Sequence, residues 1–255
     1  MVDRDSADIQ VIARCAQILR QLEPGSRLRV APLAKELGVG RSTLHRYLNS
    51  MVNADLIERV GEGEYAPGPL LAQLGTMALN SLHVVEAAGV AMQDLCREVS
   101  QTVVLSVWGG LAPVVTRVEV PDQLIQVQVR IGSALPLNAA QTRVFLAFQQ
   151  DPRTVERLLS LVPERREEIE ADMARAQSDG FVVYSGSVVG LSTIAVPVFN
   201  ARGIAATLAI IGTDASVLGA EQETLAGRLG AVAHELSQQL GFDGAYPGAA
   251  PDATA

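Results

Sequence analysis

Lysine is almost missing from this chain: of its 20 basic residues, only Lys35 is not an arginine. We read that bias as a property of coding rather than of function. Cysteine occurs twice, as Cys15 and Cys96, each within an apolar helical pattern, so buried free thiols are expected in place of a disulfide. The three histidines, His45, His83 and His234, lie far apart, and none has a metal ligand at useful spacing. A metal site has no support. Aromatic residues make up only 4% of the chain, so the cores must be built from Leu, Val, Ile and Ala. No apolar run approaches the ~18 residues of a membrane span, and the opening MVDRDSAD has no apolar signal-peptide core, so a cytoplasmic protein is expected. Catalytic motifs are missing too. There is no G-x-S-x-G elbow, no Walker-type phosphate loop and no G-x-G-x-x-G after a strand. The nearest glycine motif, GSVVG (186–190), lies between two expected strands with no helix to receive a phosphate, so neither enzyme nor cofactor is expected.

At 255 residues the chain has room for a small domain and a second one of roughly 150 residues. Its net charge of −8 is not evenly spread: residues 1–80 hold nine basic and nine acidic side chains, whereas residues 81–255 hold 11 and 19. The acidity therefore belongs to the C-terminal part.

The chain is organised around Val30–Ala54, VAPLAKELGVGRSTLHRYLNSMVNA. Two short helical patterns are separated there by Gly38-Val39-Gly40, and Gly38 suits the left-handed position that closes the first of them. In the second pattern Ser42, His45, Arg46 and Asn49 fall on one side of a helix, while Leu44, Leu48, Met51 and Val52 have the complementary, burying spacing. No Asp or Glu occurs between Glu36 and Asp55, as a helix that approaches phosphates requires. A polar stripe alone fits an ordinary solvated face equally well; the glycine turn, the preceding helix and the missing acids favour a DNA-reading helix-turn-helix. Arg46 is the expected base reader, since Arg pairs bidentately with guanine, and Ser42 and Thr43 are expected on phosphate. Arg41 and His45 suit either role, and Asn49 completes the stripe. Tyr47 is expected to pack at the helix edge. With a neutral N-terminal part, affinity must come from the local placement of arginine and from dimerisation.

In chain order, Ser6–Leu22 reads as a first helix closed by Pro24-Gly25, and Ala31–Leu37 as a second. Leu56–Val60 and Glu64–Ala66 read as two strands around a glycine turn, which makes a winged helix-turn-helix with Arg59 on the wing. Glu62 and Glu64 give the wing an acidic tip facing only Arg59, so it is expected to orient the domain more than to grip DNA. After Pro67-Gly68-Pro69, Leu70–Leu82 is an apolar helix with hardly any charge, expected to self-associate. A helix Val85–Val99 then precedes strands at Thr102–Trp108, Pro113–Val120 and Ile125–Val129. Helices are expected over Asn138–Gln149 and Arg153–Ser178, the latter interrupted at Pro163. Strands follow at Phe181–Tyr184, Ser192–Phe199 and Ile204–Gly212, before a long helix Ala215–Leu240. Antiparallel sheet with flanking helices is an α+β arrangement. Residues 242–255, rich in Gly, Ala and Pro, read as a disordered tail.

Four segments, in order and at matching spacing, carry a resemblance: LAKELGVGRSTLHRYLNSMVNADLIER (33–59), EYAPGPLLAQLG (64–75), RIGSALPLNAA (130–140) and GLSTIAVPVFNARG (190–203). Over residues from about 8 to 240 the chain resembles the IclR family of bacterial transcription regulators. That resemblance implies a winged helix-turn-helix over 1–66, a linker helix over 67–83 used in dimerisation, and a GAF-like α/β sandwich over 84–241 that binds a small effector. It also implies dimers or pairs of dimers on a double-stranded DNA operator.

Two departures bear on the ligand. Where the family commonly has a Gly-Lys pair after its LPLHATA-like segment, this chain has Thr142-Arg143 and is one residue shorter. The strand that often ends in Ser-x-Ser-Gly reads Ala209-Ile210-Ile211-Gly212, without the hydroxyls that hold a small carboxylate in some members. An effector site where the family places it would involve Leu105, Ala139, Ala140, Tyr184, Thr193, Ala209 and Ile211. Such a lining is apolar with two hydroxyls, and no charged residue occurs between Gly180 and Ala201, so an uncharged or aromatic effector is expected. Trp108 suits either this pocket or plain sheet packing. The expected function is sequence-specific DNA binding modulated by that effector. The alternatives are a ligand-independent DNA-binding dimer, and an enzyme or metabolite-binding protein carrying the winged helix as an interaction module.

Overall fold

The computed structural model describes residues 4–124, 126–186 and 188–248. The chain separates into two compact units that meet between Ser81 and Leu82. The first holds α1 (Arg4–Leu19), β1 (Leu28–Arg29), α2 (Val30–Glu36), α3 (Arg41–Asn53), β2 (Ile57–Gly61), β3 (Glu64–Pro67) and α4 (Pro69–Ser81). The three strands form an antiparallel sheet in the order β1-β3-β2, so the hairpin expected from sequence gains a third strand whose Leu28 registers with Tyr65.

Burial follows the helical spacing. Ile18, Leu33, Ala34, Leu44, Leu48, Met51, Ile57 and Tyr65 form one core, and Tyr47 packs on its edge. Gly38, at φ 63°, closes α2 in the left-handed region open to glycine. Gly68 is required for a different reason: a Cβ there would lie 2.3 Å from the carbonyl oxygen of Asp55. Its N–H donates to Leu56 O, and that of Leu70 to Asp55 O, so α4 starts tightly against the end of α3 and the wing. Beyond that start Leu74, Met77 and Leu79 are exposed.

The second unit holds α5 (His83–Val99), β4 (Thr102–Trp108), β5 (Pro113–Glu119), α6 (Ala140–Ala147), α7 (Pro152–Leu159), α8 (Arg166–Asp179), β6 (Val182–Ser185), β7 (Leu191–Asn200), β8 (Gly203–Thr213), α9 (Asp214–Val217) and α10 (Gln222–Gln239). Its strands form one antiparallel sheet, β5-β4-β8-β7-β6. One face carries Val103, Leu105, Val107, Ile194, Val196, Val198, Leu208 and Ile210 into a core with α5 and α10. The other carries Val182, Ala195 and Ala209 against α6 and α8. This is an α+β sandwich with the sheet as its middle layer.

Three expectations are corrected. Residues 126–129 form no strand, and Ile125 lies outside the described residues. The outer edge of β5 is met instead by residues 132–135, through Val115 N–H to Ser133 O, Gly132 N–H to Val115 O and a bridge from Val114 to Ala134. The last helix is two, because Leu218 is extended and Gly219 adopts φ 92°, which no regular helix continues. Residues 242–248 are not a disordered tail: Phe242 stacks on Phe199, and the Tyr246 hydroxyl donates to Pro197 O at 2.5 Å. The two aromatic side chains supply burial that the Gly/Ala/Pro composition hid. Residues 249–255 lie outside the described residues. Among the described residues no helix is long and apolar enough to cross a membrane.

Candidate functional site

α3 buries Leu44, Leu48 and Met51 and leaves Arg41, Ser42, Thr43, His45, Arg46 and Asn49 exposed, so all six residues singled out on this helix sit at its surface. Gly40 precedes it in extended conformation, and among the described residues no side-chain cap holds the N–H groups of the first turn. Arg59 is brought to this face: its Nη2 donates to Asn49 Oδ1 at 3.2 Å and to the Tyr65 hydroxyl at 3.3 Å. The wing differs from expectation here. Glu64 does not face Arg59; it accepts from Arg29 at 2.9 Å and lies 3.9 Å from Arg27, because β1 pairs beside β3 and delivers both arginines to it.

In the second unit the register sets Tyr184, Thr193 and Ile211 side by side across β6, β7 and β8. Ala140 and Ala209 share the adjoining cluster, and Ala139 immediately precedes α6. Leu105 is not with them. It registers with Leu208 and, by strand alternation, points into the opposite core with α5 and α10. Trp108 stacks at a tilt on Phe145 and packs beside Leu146, Leu158, Leu159 and Ile169, which is sheet packing. The Tyr184 hydroxyl is taken, accepting from Arg165 Nη2 at 2.6 Å.

Beside this row lies a polar cluster around Arg143, which the sequence marks only as a departure from the family's Gly-Lys pair. Arg143 is fully buried, although an arginine normally keeps its head in water. Its guanidinium lies 4.0 Å above the Tyr184 ring and donates to Asp172 and, at 2.8 Å, to Glu168. Arg175 holds the second oxygen of Asp172 at 2.8 Å, and Arg165 reaches Glu168. The hydrogen bond from Arg143 holds the Glu168 carboxyl below its ordinary range, and the Tyr184 and Glu168 bonds raise Arg165 above its own. Two buried atoms keep no partner among the described residues, Arg143 Nε and Ser106 Oγ. A signal existed in α8: Asp172 stands three residues after Ile169 and four before Ala176, an acid on the buried face of a helix. Gln141, two residues before Arg143 in α6, is also buried, its amide donating to Thr207 Oγ1 at 3.1 Å.

A winged helix-turn-helix with an exposed, acid-free helix face, followed by an α+β unit with its own buried polar cluster, defines a helix-turn-helix transcriptional regulator. The family described as bacterial transcriptional regulator IclR C-terminal matches residues 76–238, and the IclR helix-turn-helix domain matches residues 11–61. The chain belongs to the IclR family. It is 37% identical over 139 residues to an HTH-type transcriptional regulator of Mycobacterium tuberculosis, a match spanning 53% of this chain and 52% of that one. Its fold is that of an IclR transcriptional regulator from Silicibacter sp., with TM-score 0.79 at 20% identity over 95% of this chain and 98% of the other. It is also that of an IclR homolog from Microbacterium hydrocarbonoxydans complexed with 4-hydroxybenzoate, with TM-score 0.69 at 20% identity over 90% and 98%.

Proposed function

We propose that α3 is the major-groove helix of a sequence-specific regulator in which Arg46 reads bases, Ser42 and Thr43 meet phosphate, and Arg41, His45, Asn49 and Arg59 complete the contact. The observation that carries this reading is the exposed stripe Ser42, His45, Arg46 and Asn49 on a helix without acids, with the uncapped first turn beside it. Two such helices are needed for a palindromic site, and α4 offers the means: Leu74, Met77 and Leu79 are exposed large apolar residues that a second copy would cover. Homodimers, and dimers of dimers on the operator, follow in the cytoplasm. The second unit acts as a sensor, not as an enzyme.

The effector is an uncharged or aromatic small molecule held near Ala139, Ala140, Tyr184, Thr193, Ala209 and Ile211. Support comes from the apolar character of that row, with the buried Arg143 beside it engaged by Asp172 and Glu168. The related Microbacterium protein holds an aromatic compound. A ligand that favours one dimer state shifts DNA affinity by the difference in its affinity for the two. A thermal-shift series with benzyl alcohol, benzamide, 4-hydroxybenzoate and aliphatic acids tests the sensor: an aromatic compound is expected to raise the melting temperature and change DNA affinity. A ligand-independent dimer, the reading favoured by the missing Ser-x-Ser-Gly hydroxyls, would show neither effect.

A further inference from the structure

We propose that Arg59 is a positioning residue for DNA reading: it turns the amide of Asn49 so that the NH2 group faces the bases, and the base thereby selected is guanine. This rests on α3 being the major-groove helix. A guanidinium has donors only, so the Asn49 atom that lies 3.2 Å from Arg59 Nη2 is the acceptor, Oδ1. The amide nitrogen is turned the other way.

Arg59 does not move freely to follow Asn49. Its Nη2 also donates to the Tyr65 hydroxyl, and its guanidinium carbon lies 5.6 Å from the centre of the Tyr65 ring. Tyr65 is buried in the domain core, on β3, and registers directly with Arg59. A line of contacts thus runs from the core, through Tyr65 and Arg59, to an exposed side chain at the end of the polar stripe. Glu64, the wing acid that would compete for Arg59, is held by Arg29 and Arg27.

An asparagine that reads adenine needs both ends of its amide, Oδ1 accepting from N6–H and Nδ2 donating to N7. Engaging Oδ1 on the wing withdraws the first of these. What remains is a pair of N–H donors, matched by guanine O6 and N7, both acceptors. Adenine keeps one acceptor, N7, but sets N6–H2 against the second donor, thymine offers O4 alone beside its methyl group, and cytosine presents only its amino group, so guanine alone matches both donors.

Selection of the full chain against a randomised duplex library tests this. Wild type is expected to enrich guanine over adenine roughly tenfold at one base pair of each half-site, within the range of a single good base contact. Asn49→Ala should lose the preference at that pair alone. Arg59→Met, which keeps alkyl packing on Tyr65, should bring the guanine-to-adenine ratio there towards parity and leave other pairs unchanged. Tyr65→Phe removes only the hydroxyl and should move the same ratio in the same direction, which keeps the test decisive if Arg59→Met unfolds. Uniformly weaker binding by Arg59→Met with the guanine preference intact would overturn the inference and leave Arg59 as a DNA contact with no positioning role. Adenine preference in wild type would overturn it as well. No preference at any pair would overturn the reading of α3 itself.

Discussion

The guanidinium of Arg143 lies 4.0 Å above the ring of Tyr184 while its terminal nitrogens are held by Asp172 and Glu168. One buried charge therefore ties α6, α8 and β6 together next to the row proposed to meet the effector. Asp172 and Arg143 are both shielded from water, so removing one partner leaves the other uncompensated.

Asp172→Asn is accordingly expected to destabilise the protein by about 3–5 kcal/mol, whereas Arg143→Met with Asp172→Leu should recover most of the loss. Urea unfolding of Asp172→Asn, of Arg143→Met alone and of the double variant measures this. A loss in the double variant equal to the sum of the losses in the two single variants would show that the pair is not coupled.

Glu168 gives the cluster a pH dependence. Its carboxyl is held below the ordinary range, first by the Arg143 hydrogen bond, so its contribution is present above the unfolded carboxylate value and fades as pH falls through the folded one. The group is partly exposed, so the effect is small. Stability measured by urea between about pH 6 and about pH 3 should fall less steeply in Glu168→Gln than in wild type. Superimposable acid limbs would contradict the assignment.

The closing segment makes a separate prediction. Burial pushes the Tyr246 phenol well above its ordinary value, so the segment stays docked below the usual tyrosine range and is released only as pH rises beyond it. Tyr246→Phe, which removes the bond to Pro197 O, should cost about 1 kcal/mol. Gly248→Ala should release the segment more fully, since Gly248 sits at φ 73° and a Cβ there would meet Asp179 O. Hydrogen exchange of the Phe199–Ala201 amides follows both. Unchanged exchange would mean that the segment does not protect β7.

In the helix-turn-helix, Arg46→Ala is expected to cost on the order of 1–3 kcal/mol on the cognate site and to relax discrimination at one position. Anisotropy titrations of cognate and single-substituted duplexes give the ratio. Loss that is uniform over all sequences would place Arg46 on phosphate.

The first unit was legible because its periods are clean. Leu44, Leu48 and Met51 bury as their spacing requires, and Gly38 and the Pro67-Gly68-Pro69 break sit where the chain must turn. The wing charges were less so, since β1 is only two residues long and nothing in Arg27–Arg29 announces that it will deliver two arginines to Glu64. In the second unit, helices and most strands follow from pattern, yet Leu105 was placed on the wrong face, a one-residue matter in a strand buried on both sides. Arg143 was hidden for a physical reason. Composition treats an arginine as a surface residue, and only the tertiary pairing with Asp172 and Glu168 makes its burial tolerable.

Fluorescence anisotropy of the purified protein, with DNA from upstream of its own gene and with scrambled DNA at two salt concentrations, is the most direct measurement of DNA reading by α3. Tight binding to the native sequence that survives added salt better than binding to the scrambled one is the expected result. Equal, salt-labile binding to the two, persisting with every aromatic compound that shifts the melting temperature, would contradict it.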